Sequence, residues 1–235
     1  MAVVTGSSRG LGREIALQCA REGWNVVVNA VRSADAAEVV AEQARALGAD
    51  AAVVMADVAD RSDRARLIDA AVTEWGRLDC LVNNAAIIVD RPLPRLAESD
   101  WDAVMATDLL APMDLTRRAA AAMARGGLVV NVGSICGLWG CAGSAAYSAA
   151  KGALIGFTRG AAAELAGRGV RVNAVAPGYL PTEMGRAAPA AMEIAREQHA
   201  MRTLSDPATA AAFILRLWEM PGVTGQVFNL DGRIR

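Results

Sequence analysis

"AVVTGSSRGLGREIALQCAREG", residues 2–23, is the stretch whose reading decides the fold. A short β-branched run at 2–4 gives way at once to a glycine-rich turn, Thr5–Gly12, and then to a segment of helical character, "GREIALQCAREG". Gly6, Gly10 and Gly12 allow the backbone to turn tightly and to approach a pyrophosphate, which the free N–H groups and dipole of a helix start are suited to hold. The spacing is G-x3-G-x-G rather than the commoner G-x-G-x-x-G, and its weight comes from its position directly after the first strand.

The same strand-then-helix rhythm continues outward from this unit. Apolar runs recur at 25–29, 51–55, 80–84, 128–132, 170–175 and 226–230, separated by helical stretches such as "SDRARLIDAAVTEW" and "LIGFTRGAAAELAG". Strands that are apolar without alternation are buried on both faces, so the pattern predicts a parallel sheet of about seven strands with helices on either side. This is a single-domain, doubly wound α/β architecture of Rossmann type spanning 1–235. Gly23, Gly48, Gly76, Gly127 and Gly169 are expected to end helices, and Ser62, Ser99 and Asp206 to begin them, the last with Pro207 at the first helical position. Pro112 predicts a kink inside 99–124.

Composition narrows the function classes. The 235 residues are 54% hydrophobic, and 24 basic residues nearly balance 25 acidic ones, so nothing argues for nucleic acid or an anionic membrane surface. The uncharged run 126–150 is broken by Asn131, Ser134, Ser144 and five glycines before residue 141, which excludes a membrane-spanning helix there. Cys19, Cys80, Cys136 and Cys141 lack zinc-ligand spacing and read as buried reduced thiols; no metal is expected. The opening "MAVVTGSSRG" is unlike a signal peptide, so the expected location is cytoplasmic.

Ser134 ends the strand "LVVNVGS", at the carboxyl edge where open α/β sheets bind ligands. Tyr147 and Lys151 follow on the next helix, four residues apart and so on one face. A nearby ammonium favours a phenolate, and this pairing is expected to bring the Tyr147 pKa down toward the working range.

Together these motifs resemble the short-chain dehydrogenase/reductase family from Val3 to about Gly232. "TGSSRGLG" resembles the family's cofactor loop, with Gly6, Ser8, Arg9, Gly10, Leu11 and Gly12 as cofactor contacts. "ADV" at 56–58 is similar to the segment in which Asp57 and Val58 meet the adenine. "NNAA" at 83–86 resembles the family's N-N-A-G and supplies Asn84, Ala85 and Ala86; Ala86 in place of glycine is tolerable if its φ is negative. "APGYLPT" at 176–182 looks like the stretch beside the nicotinamide, with Pro177, Gly178, Leu180 and Thr182.

The resemblance implies hydride transfer between a nicotinamide and a carbonyl carbon. Tyr147 would exchange the proton, Ser134 hydrogen-bond the oxygen, and Lys151 bind the ribose and hold the tyrosine pKa down. Asn29, Arg32 and Ser33 follow the second strand where an acidic residue would otherwise bond the ribose, so with Arg9 they favour NADP(H) over NAD(H). Asp108 stands where the family usually has an asparagine, and its carboxylate is expected to draw Lys151 toward itself.

The nearest subgroup by pattern is the 3-oxoacyl-carrier-protein reductases. Arg125 and Arg168 resemble places where such enzymes meet an acidic acyl carrier protein. Two rivals stand beside this reading: a broad-specificity NADP-dependent ketone reductase or alcohol dehydrogenase, and a dinucleotide-binding sensor without chemistry. A substrate lid is expected over about 183–205, and the family's habit implies a homodimer or homotetramer through 99–124 and 146–166.

Overall fold

The structure, a computed structural model, describes residues 1–233. Its strands are β1 (Ala2–Val4), β2 (Val26–Ala30), β3 (Ala51–Met55), β4 (Cys80–Asn83), β5 (Leu128–Val132), β6 (Arg171–Ala176) and β7 (Val227–Asn229). Among the described residues they form one parallel sheet in the order β3-β2-β1-β4-β5-β6-β7. The expected strands are all present, with ends shifted by a residue or two at four of them.

Burial explains why the strand sequences do not alternate. Every residue of β1, β2, β4, β5 and β6 is buried. Val4, Val28, Val82 and Val130 point to one face, where α1 (Gly10–Arg21), α2 (Ala34–Ala46) and α10 (Pro207–Arg216) cover them. Val3, Val27, Leu81, Val129 and Val172 point to the other, under α3 (Arg61–Trp75), α5 (Ala111–Ala122) and α7 (Ala145–Leu165). With helices on both sides, both faces of each strand must be apolar.

The chain leaves β1 toward β2 and β3, then returns across β1 to lay down β4. The carboxyl ends of β1 and β4 therefore form a topological switch point, the usual ligand crevice of such sheets. Gly6 and Ala85 meet there: a Cβ built on Gly6 would lie 3.0 Å from the Ala85 Cα.

Helix punctuation agrees with the sequence at most points and corrects it at three. Gly23, Gly48, Gly76 and Gly169 take positive φ, whereas the left-handed residue before β5 is Gly126 and not Gly127. Asp206 caps α10 through Thr209 as expected. The cap of α3 is Asp60, which accepts from the Ser62 and Asp63 amides; a carboxylate two residues upstream wins over the Ser62 hydroxyl. Ser99 lies inside α4 (Glu98–Met105), which begins after Ala97. The kink foreseen at Pro112 is a π-turn over Ala106–Leu110, where the Ala111 amide reaches back to the Ala106 carbonyl. Proline has no N–H to close the next regular bond, so the helix widens before it.

Candidate active site

The glycine loop is fastened to β2 and β4 by Ser7 and Thr5, which no motif singles out, and by Asn29 and Asn84, which the sequence places among the cofactor contacts. Ser7 is fully buried; its hydroxyl donates to the Val4 carbonyl at 2.7 Å and accepts from the Asn29 amide at 2.9 Å. The Thr5 hydroxyl accepts from the Asn84 and Ala85 amides, both at 2.9 Å. Asn84 Nδ2 donates to the Thr5 and Gly6 carbonyls. Asn29 is likewise spent on the scaffold: it accepts from the Gly6 amide and donates to the Val54 and Ala56 carbonyls.

This bracing leaves no room at Gly12, where a Cβ would lie 2.3 Å from the Gly6 carbonyl oxygen and 2.5 Å from Asn84 Nδ2. Gly6 and Gly10 adopt φ of +61° and +57°. No side chain caps α1, so its first amides are available to an anion. The loop thus fits a pyrophosphate.

Around it, Arg9 and Arg32 are exposed, as is Ser33, and Ser8 is half-buried. Arg9 Nη1 pairs with Glu183 Oε2 at 3.0 Å, reaching across to the expected lid. Leu11 and Val58 are buried; the exposed Asp57 accepts from the Ala59 amide through Oδ1. Ala86 has no positive φ, so the methyl in place of a family glycine is accommodated. Pro177 is buried and Leu180 half-buried, while Gly178 needs its φ of +86°; Thr182 caps α8 (Glu183–Arg186).

The other half of the site is carried by β5 and α7. Ser134 follows β5 and caps the short α6 (Ile135–Trp139), its Oγ accepting from the Cys136 amide at 3.1 Å. Lys151 is 1% exposed; its ammonium donates to the Val132 carbonyl at 2.9 Å and lies 5.6 Å from the centre of the Tyr147 ring. Ser134 lies near enough to the Tyr147 phenol to favour its charged form. The three expected residues therefore converge at the carboxyl edge of the sheet.

Asp108, in the π-turn, is fully buried and joins them. Its Oδ1 accepts from the Ile87 amide at 2.9 Å, and its Oδ2, without a hydrogen-bond donor, stands 3.4 Å from Lys151 Nζ. Burial pushes this carboxyl above its usual range, with Lys151 opposing. Behind the pair, Asn83 donates to Asn131, which donates to Thr158, stitching β4, β5 and α7 together. No spacing rule reveals these contacts, because they connect residues far apart in sequence.

Two expectations are corrected here. Burial outweighs the ammonium at Tyr147: its phenol sits above its ordinary value, with Lys151 pulling it down and Asp108 pushing it up. A neighbouring cation names only one contribution, and the desolvation of a phenolate depends on everything packed around it. Cys136 and Cys141 are not reduced thiols but a disulfide, five residues apart in the segment between Ser134 and Tyr147. Cys19 and Cys80 are free and buried as expected. Among the described residues no cluster fit for a metal occurs, and no helix is long and apolar enough to cross a membrane.

Arg125 and Arg168 are not brought to this edge. They precede β5 and β6 at the opposite end of the sheet, where the Gly126 amide bonds the Gly169 carbonyl.

Fold and site define an α/β oxidoreductase built around a dinucleotide crevice with a Ser, Tyr and Lys beside it. The chain belongs to the short-chain dehydrogenase family, whose model matches residues 1–193. A 3-oxoacyl-[acyl-carrier-protein] reductase of Staphylococcus aureus is 45% identical over 78% of this chain and 75% of its own length. One from a Synechocystis strain is 39% identical over 99% and 95%. A short-chain dehydrogenase from Burkholderia cenocepacia, solved in complex with NADP, superposes with a TM-score of 0.95 at 34% identity, covering 98% of this chain and 96% of that one.

Proposed function

We propose that this protein reduces a carbonyl to a secondary alcohol with NADPH, and that its substrate is a 3-oxoacyl thioester. One observation carries the reading: Ser134, Tyr147 and the buried Lys151 meet beside a glycine loop too tight for any side chain at Gly12. The relatives named as 3-oxoacyl-carrier-protein reductases and the NADP-bound neighbour support the substrate and the cofactor.

Gly6, Ser8, Gly10, Leu11 and Gly12 would hold the pyrophosphate, and Arg9, Arg32 and Ser33 a 2′-phosphate, Arg9 exchanging Glu183 for it. Asn29 and Asn84 act by keeping the loop in shape. Asp57 and Val58 would border the adenine, and Ala85, Ala86, Pro177, Gly178, Leu180 and Thr182 the nicotinamide side. Bound, NADPH supplies the hydride.

The chain's own residues manage the proton and the charge. A phenol held above its ordinary pKa carries its proton at neutral pH, so Tyr147 is stocked as the acid for reduction and delivers H⁺ to the carbonyl oxygen. Because Ser134 Oγ accepts from the Cys136 amide, its own O–H is left to donate to that oxygen. Lys151 steadies the phenolate that forms and holds the ribose. Met184, Ile194 and Met201 expose apolar surface on the lid, 183–205, which suits an acyl chain.

The test follows NADPH oxidation with an acetoacetyl thioester, free β-ketoesters and secondary ketones. Tyr147→Phe is expected to lower kcat by about 10²–10⁴-fold with NADPH binding unchanged. Indifference to thioesters with turnover of simple ketones selects the broad ketone reductase instead. NADPH binding with no turnover of any carbonyl, in wild type and Tyr147→Phe alike, selects the sensor.

A further inference from the structure

The disulfide sits where it can govern the chemistry. Cys136 and Cys141 lie between Ser134 and Tyr147, and each spends its backbone amide on a serine of the site: Cys136 on Ser134 Oγ, Cys141 on Ser148 Oγ, both at 3.1 Å. Ser148 adjoins Tyr147 in the first turn of α7. Between the cysteines, Gly137 packs on the backbone of Lys151 so closely that a Cβ would lie 2.6 Å from the Lys151 carbonyl carbon. The bond therefore joins the backbone that aims Ser134 to the backbone anchored at the start of the helix bearing Tyr147 and Lys151.

Non-covalent ties also hold the far end of this loop. The Arg91 amide donates to the Gly143 carbonyl at 2.7 Å, and the Ser144 hydroxyl donates to Asp90. From Ser134 to Cys141 the disulfide acts beside the short α6, the Cys141 amide on Ser148 Oγ and the packing of Gly137 on Lys151. Both bridging cysteines are partly exposed, so a small thiol can reach them. Cys19 and Cys80 are 0% and 4% exposed, and burial holds their thiols up, that of Cys80 at about 12, so they stay inert.

We propose that Cys136 and Cys141 are positioning residues whose bond fixes Ser134 against Tyr147, so that opening it with a dithiol slows carbonyl reduction. The inference rests on the assignment of Ser134 and Tyr147 under Proposed function. In the opening step a dithiol thiolate attacks one Sγ, the Cys136–Cys141 bond breaks and a mixed disulfide forms, and the departing cysteine takes a proton from solvent. The reagent's second thiolate then displaces the remaining cysteine, so two electrons pass from the dithiol, which leaves as a cyclic disulfide. A small disulfide reverses the exchange.

The test compares the air-oxidised protein with protein treated with dithiothreitol, then returned with oxidised glutathione. Native thiol titration is expected to rise from none to two, with Cys19 and Cys80 silent. The kcat for ketone reduction is expected to fall about tenfold and recover on reoxidation, with the KM for NADPH unmoved, since a misplacement of about 1 Å at a reacting group costs up to 10²-fold. The double variant Cys136→Ser/Cys141→Ser should show the low kcat and ignore dithiothreitol. Equal kcat in both states, or two reactive thiols in the oxidised protein, overturns the proposal. If the oxidised protein reduces no carbonyl, the proposed function fails instead. Backbone hydrogen exchange over 134–148 then decides: faster exchange on reduction upholds the positioning role, and unchanged exchange refutes it.

Discussion

A single methyl at Gly12 tests whether the cofactor loop is held by close packing. In Gly12→Ala the new Cβ lies 2.3 Å from the Gly6 carbonyl oxygen, 2.5 Å from Asn84 Nδ2 and 2.9 Å from the Ser7 Cα. Two of these three atoms are backbone, so relief requires moving the loop by about an ångström. Overpacking of this kind costs about 1–3 kcal/mol. Asn84 Nδ2 must also retreat from the Thr5 and Gly6 carbonyls, and a lost bond that leaves a buried carbonyl unpaired costs about 1–3 kcal/mol more. The helix propensity gained on replacing glycine returns up to about 1 kcal/mol. A net loss of about 1–5 kcal/mol corresponds to a fall in Tm of about 2–20 °C for a chain of this size. Displacement of the α1 amides should at the same time weaken NADPH by at least about tenfold, or roughly 1.4 kcal/mol. Thermal unfolding by circular dichroism and a fluorescence titration with NADPH read the two effects. Gly167→Ala is the control, since a Cβ there meets nothing within 4 Å and its φ is not positive. Wild-type Tm and wild-type NADPH affinity in Gly12→Ala would refute the reasoning.

Three further outcomes are expected. Asp108 pushes the Tyr147 phenol up, so Asp108→Asn lowers that pKa and moves the alkaline limb of kcat/KM for reduction, where Tyr147 loses its proton, to lower pH; a limb that stays in place or moves up contradicts the assignment. Arg9→Ala/Arg32→Ala should weaken NADPH by about 10–100-fold while leaving NADH within about twofold, because only the 2′-phosphate loses its charge-assisted bonds; equal loss for both cofactors argues against them as the phosphate clamp. We propose that two copies pair through the helices of 99–124 and 146–166; Gly156→Trp, at a position where a built Cβ meets nothing within 4 Å beyond its chain neighbours and its own helix backbone, should then give a folded monomer by light scattering, and an unchanged mass places the interface elsewhere.

Much of this molecule was legible because its signals are local. A strand buried on both faces reads as an apolar run wherever its partners come from, so β1 through β6 appear in the sequence nearly as they stand in the sheet. Positive φ at Gly6 and Gly10 and the shared helix face of Tyr147 and Lys151 likewise follow from a few adjacent residues. Even the departure at Pro112 was readable as a break, though its form as a π-turn was not.

What the sequence by itself determined, then, is the order of strands and helices, the glycine turn and the set of reactive groups, since each depends on neighbours within one or two helical turns. The tertiary structure alone decided how those groups behave. Only the packed chain brings Asp108 within 3.4 Å of Lys151, links Asn83 through Asn131 to Thr158, and closes Cys136 onto Cys141. The rise in the Tyr147 pKa has the same origin: the desolvation that opposes its charge is summed over every element packed around the ring, and that sum exists only in the folded state.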